Sequence, residues 1–197
     1  MHQVTRPARR PTLYHRAVRQ PVPLARHSSP LLTALTWLVP LVLLGSAWLP
    51  VGDPMPLPVR LLFTLMAAGL VALFVWLPRR LGYALTEEGL EIRRASGTFV
   101  WPYRDLRVSA TPHGLGVKQV GVNAPGYYSG TFSWPGEGAN TILALSSSTR
   151  GGVVVTHRGK RYFLTPADPN AFLHELRARG VRDAESGFSL RGAIIKS

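Results

Sequence analysis

Residues 31–50 read LLTALTWLVPLVLLGSAWLP, and residues 61–77 read LLFTLMAAGLVALFVWL. Neither stretch holds a charged residue, and together they decide what kind of fold the chain can adopt. A helix rises ~1.5 Å per residue, so about 20 apolar residues cross a hydrocarbon core ~30 Å thick. The first stretch has that length. The second reaches it when Leu57, Pro58 and Val59 are added and Arg60 extends its guanidinium toward the headgroups. Trp48 and Trp76 stand at span ends, where an amphipathic ring prefers the membrane interface. Pro40 predicts a kink rather than a break, because a neighbouring helix can satisfy the carbonyl it frees. Gly45, Ser46 and Ala47 on one span and Ala67, Ala68 and Gly69 on the other permit close approach. The expectation is a transmembrane hairpin over 31–78, with helices at 31–50 and 58–77.

Two rival readings fit less well. Buried helices of a soluble protein carry polar positions at helical period, and these stretches carry almost none. A cleaved signal peptide fits neither the 30-residue leader nor the second apolar run that follows. Charge placement sets the orientation. Residues 1–80 contain nine Arg and one acid, Asp53, with most of the arginines flanking the spans. Arginine-rich flanks stay in the cytoplasm. The N-terminus and the C-terminal region are therefore expected inside, with the Val51–Val59 turn outside, as in a multi-pass protein of the cell (inner) membrane. The same placement accounts for much of the net charge of +13 without nucleic acid as a partner. The Pro-rich leader 1–30 reads as disordered and basic. The absence of cysteine removes disulfides, thiolate catalysis and Cys-based metal sites.

Beyond Arg80 the texture changes to short alternating runs. Tyr83–Thr86 and Leu90–Arg94 flank a Glu87-Glu88-Gly89 turn in a hairpin pattern. Gly97–Trp101, Leu106–Thr111, Ile142–Ser146, Gly152–Thr156 and Lys160–Thr165 complete about seven strands. Between them, Pro112–Asn140 reads as a long loop whose aromatics argue for partial packing. Asp168 as N-cap, Pro169 at the first helical position, an apolar stripe of Phe172, Leu173 and Leu176, and Gly180 as a stop predict one C-terminal helix. The simplest assembly is a mainly-β seven-stranded sandwich or partial barrel over 81–180, capped by that helix and followed by a tail, 181–197, in which Gly192–Ile195 is a weak edge-strand candidate.

These residues resemble a known family. The succession Tyr83…Leu85-Thr86…Gly89-Leu90 is similar to the opening of bacterial pleckstrin-homology (PH)-like domains, as is Trp101-Pro102-Tyr103…Leu106. Pro125–Phe132 and the ending Tyr162…Leu164-Thr165-Pro166-Ala167-Asp168-Pro169…Phe172-Leu173…Leu176 match as well. The resemblance covers about 81–180. It implies a PH-like fold, often preceded by a membrane hairpin, and a non-enzymatic role; it carries over no binding residues. One departure matters. Phosphoinositide-binding members of the wider PH superfamily use a basic loop between the first two strands, where this chain has Glu87 and Glu88, whose carboxylates repel a polyphosphate.

No constellation for catalysis, metal or cofactor binding emerges. The histidines share no ligand spacing, Asp168 is explained by capping, and Ser146–Ser148 lack a nucleophile elbow. Two features are candidates. Arg79, Arg80, Arg93, Arg94, Arg104 and Arg107 form either a solvated edge or a patch lying against anionic lipid. The loop Asn123–Trp134 carries Tyr127, Tyr128, Phe132 and Trp134; core packing accounts for Phe132 and one tyrosine, and Tyr127, Tyr128 and Trp134 are the candidates for an exposed partner-binding loop. The expected function is a membrane-anchored binding module that engages protein or lipid headgroups. The alternative is an accessory subunit of a larger membrane complex, with self-association through strand edges.

Overall fold

The computed structural model describes residues 19–25, 30–49, 55–135 and 140–184. In chain order the elements are β1 (Gln20–Val22), α1 (Pro30–Trp48), α2 (Leu57–Arg80), β2 (Gly82–Leu85), β3 (Leu90–Arg94), β4 (Gly97–Trp101), a 3-10 turn (Tyr103–Asp105), β5 (Leu106–Ala110), β6 (Lys118–Ala124), β7 (Tyr127–Ser133), β8 (Thr141–Ser146), β9 (Val153–His157), β10 (Lys160–Leu164), α3 (Pro169–Ala178) and β11 (Arg182–Asp183).

The two apolar stretches are helices packed on each other. Ala47 and Ala67 are buried at small-residue positions. Trp48 Nε1 donates to Thr64 Oγ1 (3.1 Å), whose hydroxyl donates in turn to the Arg60 carbonyl (2.8 Å), so a polar tie is made without exposing an unpaired group. Trp37 meets Phe74 edge to face at 6.2 Å. Helix α1 runs on through Pro40. Helix α2 continues past the predicted end at Leu77, through Pro78 to Arg80, before the chain turns extended at Leu81. A proline so near the C-terminus forfeits one hydrogen bond but leaves the rest of the helix intact. Among the described residues one helix, Leu57–Arg80, is long and apolar enough to cross a membrane; Thr33–Trp48 is a shorter apolar helix. Residues 51–54 of the expected turn, Asp53 among them, lie outside the described residues, and Leu57–Val59 belong to the first turn of α2.

The remaining chain is mainly β. One sheet has the order β1-β2-β3-β4 and the other β11-β5-β9-β10-β8-β7-β6. The principal core lies between them and takes Leu85, Leu90, Ile92 and Trp101 from the first sheet, Val108, Val155 and Leu164 from the second, and Phe172, Leu173 and Leu176 from α3. Alternation along the second sheet sends Tyr128, Phe132, Ile142, Ala144, Val154 and Phe163 to its other face, where they form a smaller cluster with Trp134. Helix α3 is built as the sequence indicates. The Asp168 carboxylate accepts from Ala171 N (2.9 Å). At the other end Gly180, at φ +85°, closes a Schellman turn: Gly180 N donates to Arg177 O and Val181 N to Leu176 O, with Val181 buried beside Leu176 in the core.

Three expectations are corrected. First, part of the leader is ordered. Strand β1 pairs antiparallel with β2 (Val22 opposite Tyr83), Leu24 bridges to Pro166, and Ala25 N donates to Thr165 O at 3.0 Å. The edge of β2 supplies unpaired backbone groups that Pro-containing residues 20–25 can partly satisfy. Residues 1–18 lie outside the described residues. Second, the long loop is largely a hairpin: β6 and β7 pair from Lys118 opposite Phe132 to Ala124 opposite Tyr127, joined by Pro125-Gly126 with Gly126 at φ +76°. Gly121 and Gly130 face each other across it at φ +124° and +135°, and a Cβ on either would lie 2.2 or 2.1 Å from the opposing carbonyl oxygen. Glycine here permits close backbone contact rather than marking loop. Third, the described residues of 81–180 therefore contain nine strands, not seven, with β1 and β11 added from the flanks. Strand β11 runs parallel to β5 (Arg182 opposite Arg107). The expected Gly192–Ile195 pairing lies outside the described residues.

Candidate functional site

Strand register divides the six candidate arginines into two groups. Arg79 and Arg80 end α2, and Arg93 lies opposite Gly82, two residues further on. Its guanidinium covers that glycine, with Nη2 3.0 Å from where a Cβ would sit. Arg94 is next, at the β3–β4 turn, its guanidinium 4.4 Å from the centre of the Phe99 ring. Arg80 stands over Trp76 at 4.7 Å. These four share the end of the domain that meets α2. Arg104 and Arg107 belong to the opposite end. Strand β4 runs ~13 Å from Gly97 to Trp101 before the chain reaches them. Tyr103, beside Arg104, donates its hydroxyl to Thr86 O (2.7 Å) at the far turn of the β2–β3 hairpin. Arg104 is exposed and makes a long surface pair with its neighbour Asp105 at 3.7 Å. Glu87 and Glu88 occupy that same far turn and are exposed.

The aromatic candidates divide differently. Tyr127, Tyr128 and Trp134 are 3%, 2% and 7% exposed, so they do not present a partner-binding surface. Packing takes in all three, beyond Phe132 and the one tyrosine that the sequence assigns to the core. Tyr127 joins the core between the sheets and accepts from Ala95 N at 3.3 Å. Tyr128 and Trp134 fill the second cluster, and burial raises the Tyr128 phenol pKa. Their strand alternation was hidden by the glycines around them. The large apolar side chains left exposed in and just before this hairpin are instead Val117, Val120 and Val122. Val120 and Val122 lie in line with core residue Ala124 along the outer strand of the sheet, opposite Thr131 and Ser129.

Sequence reasoning missed a buried polar knot that joins leader to domain. Ser147 Oγ donates to Ala25 O at 2.6 Å and lies 3.0 Å from Thr165 Oγ1, while Ser147 N donates to Thr165 Oγ1 at 2.8 Å. Tyr83 donates its hydroxyl to Leu145 O and accepts from Thr165 N. Burial pushes the Tyr83 pKa far above the ordinary phenol range, which keeps it a neutral donor. Every group here is explained by satisfying a neighbour, as expected of structural rather than reactive groups. His157 stacks on Trp101 (5.0 Å, 15°), and Tyr162 tilts against the same ring. Burial first, then Arg158, lowers the His157 pKa, with Asp105 opposing. Among the described residues no group of three or more His, Asp or Glu is placed to hold a metal.

No curated protein and no solved structure matches this chain. A family of generally non-catalytic binding modules does match it: residues 81–180, half of the chain, correspond to the bacterial PH domain, and the chain belongs to that family.

Proposed function

We propose that this chain is a membrane-anchored, non-enzymatic binding module. Helices α1 and α2 span the cell membrane as a hairpin, and the PH-like domain stands on the cytoplasmic face, where it engages a protein or lipid headgroups. The observation that carries this reading is the apolar surface of the two helices. Leu35, Leu38, Leu41 and Val42 on α1 and Leu61, Leu62, Leu65 and Met66 on α2 are all exposed, Leu65 by 70%. An uncovered apolar surface of that extent is costly in water and stable in hydrocarbon. Pairing of β1 with β2 supports the topology, because the chain entering α1 and the chain leaving α2 are neighbours in one sheet and must lie on one side of a bilayer. Arg79 and Arg80 favour the cytoplasm for that side.

The test uses the absence of cysteine. Single cysteines at Ser96 and at Met55, in intact cells, report which side each occupies by reaction with a membrane-impermeant maleimide. Labelling of Met55→Cys alone supports the reading; labelling of Ser96→Cys without permeabilisation refutes it.

A second reading, an accessory subunit of a larger membrane complex, is favoured by β6. That strand is an open sheet edge with Val120 and Val122 uncovered, and such edges are templates for another chain. Purification in mild detergent separates the two readings: a stable stoichiometric assembly favours the subunit, and a lone protein favours the module.

A further inference from the structure

We infer that the β3–β4 hairpin is a second membrane contact, docking on anionic phospholipid headgroups beside the end of α2, with Arg93 and Arg94 as its phosphate contacts. The inference rests on the membrane-anchored reading. Four arginines gather at this point, and the ion pairs among the described residues engage Arg19, Arg104, Arg177 and Arg179 but none of these four. Arg94 Nε is buried without a partner. Arg93 and Arg94 end strand β3, and the turn beyond them is Ala95-Ser96, with Gly97 opening β4 opposite Arg94, so the tip of the hairpin carries no bulky side chain.

Position selects lipid over a soluble anion. The hairpin is braced at the helix end: Arg93 lies opposite Gly82, and Ala95 N is held by the Tyr127 hydroxyl. The neighbouring β6–β7 turn leans on α2, where a Cβ on Gly126 would sit 3.5 Å from Pro78. A hairpin fixed this way cannot swing off the plane in which α2 leaves the bilayer. Its chemistry suits that plane. Exposed Phe99 carries Arg94 on its face, as Trp76 carries Arg80. Paired ring and guanidinium give an apolar body with a phosphate-binding head, which suits the interfacial zone. The β2–β3 turn, with Glu87 and Glu88, is at the other end of the domain and is acidic, so this contact is distinct from it.

The experiment uses the full chain in vesicles of phosphatidylcholine, with and without phosphatidylglycerol, doped with a lipid carrying a nitroxide at headgroup depth. Single-cysteine variants at Ser96, Arg104 and Leu65 each carry one fluorophore. Strong quenching at Ser96 and weak quenching at Arg104, greater with phosphatidylglycerol and reduced by salt, is the expected result. Each arginine near an anionic surface is worth about fivefold in the ratio of docked to undocked hairpin. Arg93→Gln/Arg94→Gln therefore lowers the ratio roughly thirty-fold. Quenching at Ser96 no greater than at Arg104, or indifferent to phosphatidylglycerol, overturns the inference while leaving the anchored reading standing. A Leu65 label reached by no lipid-borne quencher, even one placed along the acyl chain, overturns both.

Discussion

Replacing Ser147 by alanine removes one hydroxyl and unfastens the leader strand. Residues 19–25 are held to the domain by contacts of unequal worth. The Arg19–Glu91 ion pair and the Arg179–Gln20 hydrogen bond (2.9 Å) are exposed, and such contacts contribute about 0–1 kcal/mol each. Strand β1 itself is only three residues long. Ala25 makes buried contacts on both its backbone groups: its N donates to Thr165 O (3.0 Å), and its carbonyl accepts from the hydroxyl of Ser147, itself 5% exposed. Ser147→Ala leaves that carbonyl without its donor and takes one of the partners from Thr165 Oγ1, at a cost of about 1–3 kcal/mol. The ratio of open to closed leader then rises by about 5- to 150-fold. Hydrogen exchange at the amides of Gln20, Val22 and Ala25 measures this directly in detergent-solubilised full chain. They should exchange faster by that factor, while amides of β9 and β10 in the sheet centre move much less. Exchange at Ala25 unchanged by the substitution would refute the claim that this buried hydroxyl holds the leader in place.

Other perturbations probe other parts of the fold. Gly130→Ala combines φ +135° with a Cβ 2.1 Å from Val120 O, so it should lower stability by more than the ~1–3 kcal/mol of dihedral strain alone; Gly151→Ala, with φ +68° and open space around it, carries only the dihedral part, and equal denaturation midpoints for the two would contradict this account. Asp168→Ala removes the α3 cap and should cost about 1 kcal/mol in chemical denaturation, with Asp168→Asn largely restoring it. His157 should make stability fall with acid. Its folded pKa lies below the unfolded value of about 6.5, so the unfolded chain binds the extra proton and stability declines as pH drops through that value toward the folded pKa. Thermal unfolding between about pH 7.5 and pH 5 should show a shallower decline for His157→Asn than for the parent chain, and parallel curves would exclude the contribution.

Wherever interactions are local, the chain could be read directly. Asp168-Pro169 and Gly180 state where α3 begins and ends, because a cap and a left-handed stop act within a few residues of themselves. The alternation of Tyr83–Leu85 and Leu90–Ile92 and the tight turn between them describe the β2–β3 hairpin for the same reason. The two uncharged stretches announce apolar helices because nothing in them follows a 3.6-residue polar period. Distant pairings decided the rest. Gly121 and Gly130 read as loop until they face each other, since close contact is a property of two strands and not of either sequence. Local sequence sends Phe132 and one tyrosine of this segment to the core and leaves Tyr127, Tyr128 and Trp134 as surface candidates; burial by the opposing sheet and the β8–β10 strands places all of them inside. Residues 20–25 acquired order from the free edge of β2, from the Thr165–Pro166 backbone and from the Ser147 hydroxyl, the last two more than a hundred positions away. Six arginines close in sequence became four at one end of the domain and two at the other, because a strand carries its ends apart as surely as a turn brings them together.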